Sequence, residues 1–388
     1  MATDESRESA GDATLLAHLG RNSERQDGLV NTPVTRASTI LFPDLKTLRA
    51  GAQEYSYGRH ATPVTKALQD ALAQLEGAHA AFLTSCGLAA VTTAILSAVR
   101  AGDHILVADC VYDPTRKFCT EALPGLGVSA SFFDPLIGAD IAGLITPQTK
   151  AVFLESPGSL TFEVSDVAAI ADAAHQAGAK VLLDNSWATP LFFKSFRNGV
   201  DISVHSVTKY ISGHADGMCG AILANEHAAG DVERMRKLIG QNNGADEAYL
   251  ALRGLRSLEA RLSRQAASAL EIARWLETRP EVARVLYPAL ENDPGYRLWQ
   301  RDFTGAASLF SVVLHPCTED ALARMVDGMR LFSMGYSWGA FESLILPSVP
   351  IRSATEWNEA GPLVRIYIGL EDPADLKQDL EAALERLG

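Results

Sequence analysis

Asp201-Ile-Ser-Val-His-Ser-Val-Thr-Lys-Tyr-Ile-Ser-Gly-His-Ala-Asp-Gly217 is the stretch on which the rest of the chain turns. Its apolar alternation, Ile202 and Val204, is that of a short strand, and it feeds Lys209, which is preceded by the hydroxyl residues Ser206 and Thr208. A lysine held at the end of a core strand is partly desolvated, which lowers its pKa and frees its amine to condense with a carbonyl. A surface lysine after a strand is the alternative reading, and Ser-x-Thr-Lys alone does not separate the two. Distant partners have to do so.

Outward from this stretch the chain alternates strand and helix. Strand-like runs are Ala80-Leu83, His104-Ala108, Val128-Phe133, Lys150-Glu155, Lys180-Asp184, Asp201-His205 and Gly220-Ala224, with helix-like runs at Leu88-Val99, Pro114-Leu123 and Val164-Ala177. Near-continuous apolar strands separated by helices predict an α/β unit with a mostly parallel sheet covered on both faces. Ligands of such sheets lie beyond the C-terminal ends of the strands. Upstream, Thr62-Pro63 opens a helix with Val64, Leu68, Leu72 and Leu75 on one face and Gly77 at its end. Downstream, Asp246 to Leu276 reads as one long helix bent near Gly254. Strands near Val282-Tyr287, Ala307-Leu314 and Leu363-Ile368, with helices at Glu319-Met329 and Pro373-Arg386, then predict a smaller α+β domain. The expected division is an N-terminal arm over 1–60, a large domain over 61–255 and a C-terminal domain over 256–388.

Residues up to about Leu16 are expected to be mobile. From Ala17 to Gly58 the sequence shows no sustained period, so it reads as an arm that packs on something else, such as another subunit. The 388 residues, 47% hydrophobic and 21% charged, are ordinary for a soluble globular protein. A net charge of −13 provides no basic field for a nucleic acid. Ala80 to Val99 is nearly free of charge and long enough to imitate a membrane span, but Thr84-Ser85-Cys86-Gly87 interrupts it, so a strand, a turn and a buried helix are expected instead. The five scattered cysteines fit a reducing cytoplasm better than a disulfide framework. The nine histidines have no metal-ligand spacing, and His205 and His214 read as local structural residues.

Four features fall at strand ends. Ser85-Cys86-Gly87-Leu88 lies between strand and helix, so free N–H groups at the helix start can hold a phosphate; a packing turn is the alternative. Asp184 closes the apolar run Val181-Leu182-Leu183, where a carboxylate must be paired, whether to a protonated ring nitrogen or as a turn and cap residue. Lys209 follows one strand later. Arg365, amid Leu363-Val364-Arg365-Ile366-Tyr367, suits a bidentate grip on a carboxylate or an internal ion pair. Taken together these are the parts that pyridoxal 5′-phosphate needs to act on an amino acid.

At this point the chain resembles the Cys/Met-metabolism family of pyridoxal-phosphate enzymes, and within it the bacterial cystathionine β-lyases. The resemblance runs through nearly the whole chain. Tyr57-Gly58-Arg59, Phe133-Asp-Pro-Leu-Ile-Gly138, Val152-Phe-Leu-Glu-Ser-Pro-Gly158, Ser206-Val-Thr-Lys-Tyr210 and Phe332-Ser-Met-Gly-Tyr-Ser-Trp-Gly339 carry it. It implies the PLP-dependent transferase-like fold with a seven-stranded mixed sheet. It makes Lys209 the cofactor-bearing lysine and general base, Asp184 the partner of the pyridine nitrogen, and Gly87, Leu88, Ser206 and Thr208 phosphate donors. Tyr112 would stack on the ring, and Tyr57 and Arg59 would reach a neighbouring subunit's cofactor, Tyr57 touching substrate as well. Arg365 would bind the substrate carboxylate, with Ser337 and Trp338 lining the pocket, and no metal is involved. The implied reaction is β-elimination of L-cystathionine by a cytoplasmic homotetramer built from dimers. Ser337-Trp338 favours this over γ-lyase or γ-synthase chemistry; broader cysteine-conjugate cleavage shares its steps, and a silent binding protein on the same fold is the rival from another class.

Overall fold

The computed structural model describes residues 11–388. The expectation of mobility falls in part on residues 1–10, outside the described residues, and is overturned for the rest. Asp12–His18 is a helix, α1, whose Leu16 is only 1% exposed, and Asp12 pairs with Lys194 at 2.8 Å. From Gly20 to Gly58 the chain is mostly irregular, with short helical turns at Ser23–Arg25 and Leu45–Ala50, and leaves apolar side chains in the open, among them Leu29, Val30, Leu41, Leu45 and Leu48.

Helix α2 (Pro63–Glu76) begins where the sequence says it should. The Thr62 N–H donates to Thr65 Oγ1 (2.8 Å), Pro63 takes the first position, and Gly77 ends the helix at φ +81°. Leu68 and Leu72 are fully buried, each stabilising the fold by about 1.5–3 kcal/mol. The large sheet follows: β1 (Ala80–Thr84), α3 (Gly87–Ala98), β2 (His104–Ala108), α4 (Asp113–Lys117), β3 (Ser129–Phe133), β4 (Thr149–Glu155), α5 (Val167–Gln176), β5 (Lys180–Asp184), β6 (Ile202–His205) and β7 (Gly220–Ala224). Strand order is β1-β7-β6-β5-β4-β2-β3, and β7 alone runs against its neighbours. The charge-poor run from Ala80 is thus strand, turn and buried helix, and no helix among the described residues is long and apolar enough to cross a membrane.

After β7 comes α6 (Glu226–Leu238), a helix the sequence reading passed over although Asn225 caps it by accepting from Ala228 N. The long helix divides into α7 (Ala245–Leu255) and α8 (Leu258–Leu276) at Arg256-Ser257. Gly254 lies so close to the Ile211 and Ser212 carbonyls that a Cβ would approach them to 2.3 Å.

The second sheet has five strands rather than three: β8 (Val282–Leu286), β9 (Leu309–Leu314), β10 (Ser333–Met334), β11 (Leu344–Ser348) and β12 (Leu363–Tyr367), in the order β10-β11-β12-β9-β8. Helices α9 (Glu319–Asp327) and α10 (Pro373–Leu384) complete it. The two added strands were illegible because β10 is two residues long and β11 carries Pro347, which is tolerated beyond the two positions at which β10 pairs with it.

Under the large sheet, Glu76 and His205 form a fully buried pair, Oε2 to Nε2 at 2.6 Å. The other Glu76 oxygen accepts from Asn185 (3.0 Å), Ser195 (2.5 Å) and Ser203 (2.8 Å). Such satisfaction is what lets a carboxylate stay buried.

Candidate active site

Strands β4, β5 and β6 run parallel, so their C-terminal residues meet at one edge, with Glu155 in register with Asp184. Asp184 accepts from the Ser186 N–H (2.9 Å), and the Ser186 hydroxyl accepts from the Ser206 N–H (2.7 Å). The turn that carries Lys209 is thereby fastened to the one that carries Asp184.

Lys209 Nζ donates to Ser337 Oγ at 2.6 Å and lies 5.1 Å from the centre of the Trp338 ring. Burial, aided by the nearby charge of Arg365 and opposed by Asp184, lowers its amine to about 8. Arg365, in the middle of β12, donates from Nη2 to the carbonyl oxygens of Ser337 (3.0 Å) and Gly335 (3.5 Å). Ser337 thus touches both cations, its hydroxyl facing the lysine and its carbonyl the arginine. It does so at φ +76°, in the left-handed region that non-glycine residues rarely enter. Gly339 is pressed against the backbone of Lys209, where a Cβ would meet it at 2.7 Å.

Asp184 and Glu155 are two carboxylates side by side. Burial first, and then the charge of Asp184, pushes the Glu155 carboxyl well up, and burial raises Asp184 too. Glu155 accepts from the Tyr112 N–H at 2.7 Å and so fixes the start of α4. Sequence reasoning quoted Glu155 inside a motif but gave it no role; its visible signal was its place at the end of an apolar strand, the same as that of Asp184. Tyr112 is half exposed, and burial of its ring raises its hydroxyl.

At the other end of the site Cys86 caps α3, and the first intrahelical bond is Ala90 N–H to Cys86 O. The Gly87 and Leu88 N–H groups therefore precede the ladder and are free for an anion. A Cβ on Gly87 would stand 2.6 Å from the Ser206 side chain, so glycine keeps this cradle open. Thr208 is otherwise occupied: its hydroxyl donates to Cys219 O (3.1 Å) and accepts from Cys219 N–H (3.0 Å). Tyr57 and Arg59 are not brought to Lys209. They line a cleft with Arg36, Asn242, Asn243 and Asp246, Arg59 packing on the Tyr57 ring, and no hydrogen bond or ring contact joins either to Asp184, Lys209 or Arg365. Of the two histidines read as structural, His205 is the partner of Glu76 and His214 donates from Nδ1 to the Ser212 carbonyl (2.8 Å).

A softened lysine amine, a buried carboxylate that lacks a cation, a helix start opened by glycine and a buried arginine fit pyridoxal 5′-phosphate. The profile of the Cys/Met metabolism PLP-dependent enzymes matches residues 13–385. The chain belongs to that family. Pyridoxal 5′-phosphate is accordingly its cofactor, and the family's fold is seen again in metB of Corynebacterium glutamicum, whose crystal structure aligns at a TM-score of 0.91 with 30% identity, covering 98% of this chain and 99% of that one. The cystathionine β-lyase MetC of Escherichia coli is 42% identical over 387 residues, 96% of this chain and 98% of that protein. Another family relative, the L-alanine/L-glutamate racemase of Wolbachia pipientis wMel, is 40% identical over 394 residues, 96% of this chain and 97% of its own length.

Proposed function

We propose that this enzyme cleaves the Cβ–S bond of L-cystathionine, taking up water and releasing L-homocysteine, pyruvate and ammonia. The observation that carries the reading is the junction at Ser337, where the base and the carboxylate grip meet beneath Trp338. When bound, pyridoxal 5′-phosphate supplies the sink for the electrons left at Cα. Lys209, with its amine near 8, takes the Cα proton as general base. Asp184 holds a proton at the ring nitrogen by its negative charge. Arg365 would bind the α-carboxylate, Tyr112 would stack on the ring, and the Gly87 and Leu88 N–H groups with Ser206 would hold the phosphate. The indole of Trp338 and the hydroxyl of Ser337 shape the wall facing the β-carbon.

Two further readings belong here. Tyr57 and Arg59 serve the site of a second copy, because they stand apart from their own chain's Lys209 on an arm rich in exposed apolar residues; dimers sharing sites in this way assemble in pairs as a cytoplasmic tetramer. The chain divides into arm, cofactor domain and C-terminal domain at about residues 60 and 255.

Incubation of the holoenzyme with L-cystathionine and separation of the products tests the reaction. Homocysteine with pyruvate supports it; cysteine with 2-oxobutyrate, the γ-lyase products, overturns it. Likeness to a racemase makes L-alanine a useful second substrate, since it has no leaving group at Cβ. D-alanine would then report reprotonation at Cα separately from elimination.

A further inference from the structure

Asp109 follows β2 directly, is 1% exposed, and its carboxylate gathers donors from both sheets of the molecule. From the large domain, Arg116 Nη2 donates to Oδ1 (2.5 Å) and to the Asp109 carbonyl (2.8 Å). From the segment between β11 and β12, Oδ2 accepts from the N–H groups of Ser353 (3.0 Å), Ala354 (2.9 Å) and Thr355 (2.8 Å) and from the Thr355 hydroxyl (2.9 Å). Oδ1 accepts from the Ser353 N–H and hydroxyl, both at 3.0 Å. Arg116 Nη1 also donates to the Ser353 hydroxyl (2.9 Å), and its guanidinium lies 4.0 Å from the centre of the Phe132 ring. Next door Arg352, nearly buried, is held by Glu163 (2.7 Å) and Thr161.

Three consecutive N–H groups converging on one carboxylate make a cradle that takes a single shape. What it joins matters. Asp109 and Arg116 bracket the turn that presents Tyr112, and Ser353 to Thr355 lead into β12, which presents Arg365. The two sides of the proposed substrate pocket, ring cover and carboxylate grip, are otherwise on separate sheets.

We propose that Asp109 is a positioning residue for substrate recognition, fixing the segment 352–355 of the small domain to the Tyr112 turn of the large one and so setting the place of Arg365 over the cofactor. The proposal rests on the reading of Arg365 as the carboxylate grip and touches neither reacting atoms nor cofactor. Because Arg365 grips the substrate carboxylate before the reaction as well as during it, loss of this cradle acts mainly on binding.

The test uses holoenzymes of the wild type, Asp109→Asn, and the milder double variant Ser353→Ala/Thr355→Val. Asp109→Asn puts an amide N–H among N–H donors. Amide hydrogen exchange at 353–355 should rise at least about tenfold while the strands of the large sheet keep their protection. The KM for L-cystathionine, and the dissociation constant for L-alanine read from cofactor absorbance, should rise about tenfold or more, with kcat within about threefold. The double variant, which keeps the carboxylate, should show the same split at about a third of the size or less. Unchanged exchange at 353–355, an unchanged KM, or equal losses in kcat and KM with a general fall in protection would each overturn the proposal. Should Asp109→Asn fail to fold, an unaffected KM in the double variant overturns it as well. Exchange and L-alanine binding need no C–S cleavage, so a wild type that leaves cystathionine intact would refute the lyase reading and not this one.

Discussion

An amine near 8 beside a buried arginine is the chemical handle of this protein. Only the neutral form of Lys209 attacks a carbonyl, so the rate at which the cofactor-free chain takes up pyridoxal phosphate should climb with pH and level off above about 8, followed by absorbance. The sign follows from burial: a lysine with its ordinary pKa would still be gaining rate at pH 10, and such a profile would contradict the assignment. Lys209→Ala should lose cofactor absorbance and all turnover. At this scale the sequence was legible where a residue's surroundings were local. Asp184 closes an apolar run, Arg365 interrupts one and Lys209 follows a short core strand, and a charge so placed has to be explained. Asp109 also follows an apolar strand, but besides Arg116 its partners Ser353, Ala354 and Thr355 lie 244 to 246 residues away, and no spacing announces them. Thr208 shows the reverse case. The resemblance implies a phosphate donor there, and its hydroxyl also exchanges hydrogen bonds with Cys219 across the β6–β7 connection, a pairing visible only once the chain is folded.

Helix α3 is the element whose first turn does the most with the least. Gly87→Ala forces a Cβ to 2.6 Å from the Ser206 side chain at the mouth of the phosphate cradle. We expect affinity for pyridoxal phosphate to fall about tenfold or more in a fluorescence titration, with a stability loss of about 1–3 kcal/mol for the close contact; unaltered affinity would mean that the phosphate lies elsewhere. The other telling element is α2, whose last residue, Glu76, reaches under the sheet to His205. Glu76→Gln leaves the imidazole without its carboxylate and should cost on the order of 3 kcal/mol in denaturant unfolding. Hydrogen bonds and His205 outweigh burial and keep the Glu76 carboxyl below its usual range. Its contribution is therefore complete above that usual range and is lost as pH falls through the lowered value. Strong helices and long apolar strands were readable from caps and periods. Short strands such as β10, and α6 with its mostly polar surface, were not, because what forms them is the neighbour they pair with.

For the molecule as a whole, the proposed assembly turns on the arm. Leu29, Val30, Leu41, Leu45 and Leu48 stand exposed on a segment that ends at Tyr57 and Arg59, an arrangement that makes sense if a second copy covers them. Mixing two inactive proteins, Lys209→Ala and Arg59→Ala, under conditions that exchange subunits should then restore about a quarter of wild-type activity, since half of the mixed dimers' sites have both groups intact. No recovery, with exchange verified by light scattering of differently sized fusions, would place Arg59 in its own chain's site.

The close seating of Gly339 on the backbone of Lys209 separates two duties usually carried by the same atoms. Gly339 seats the loop on the main chain of the lysine, while the Ser337 hydroxyl holds the amine and the Trp338 ring lies beside it. A substitution at Trp338 can therefore reshape the wall of the pocket while the glycine keeps the loop in place, whereas one at Ser337 also removes the hydrogen bond of the base. Main-chain seating thus leaves Trp338 as the place where the pocket can vary with least disturbance to the loop that carries it.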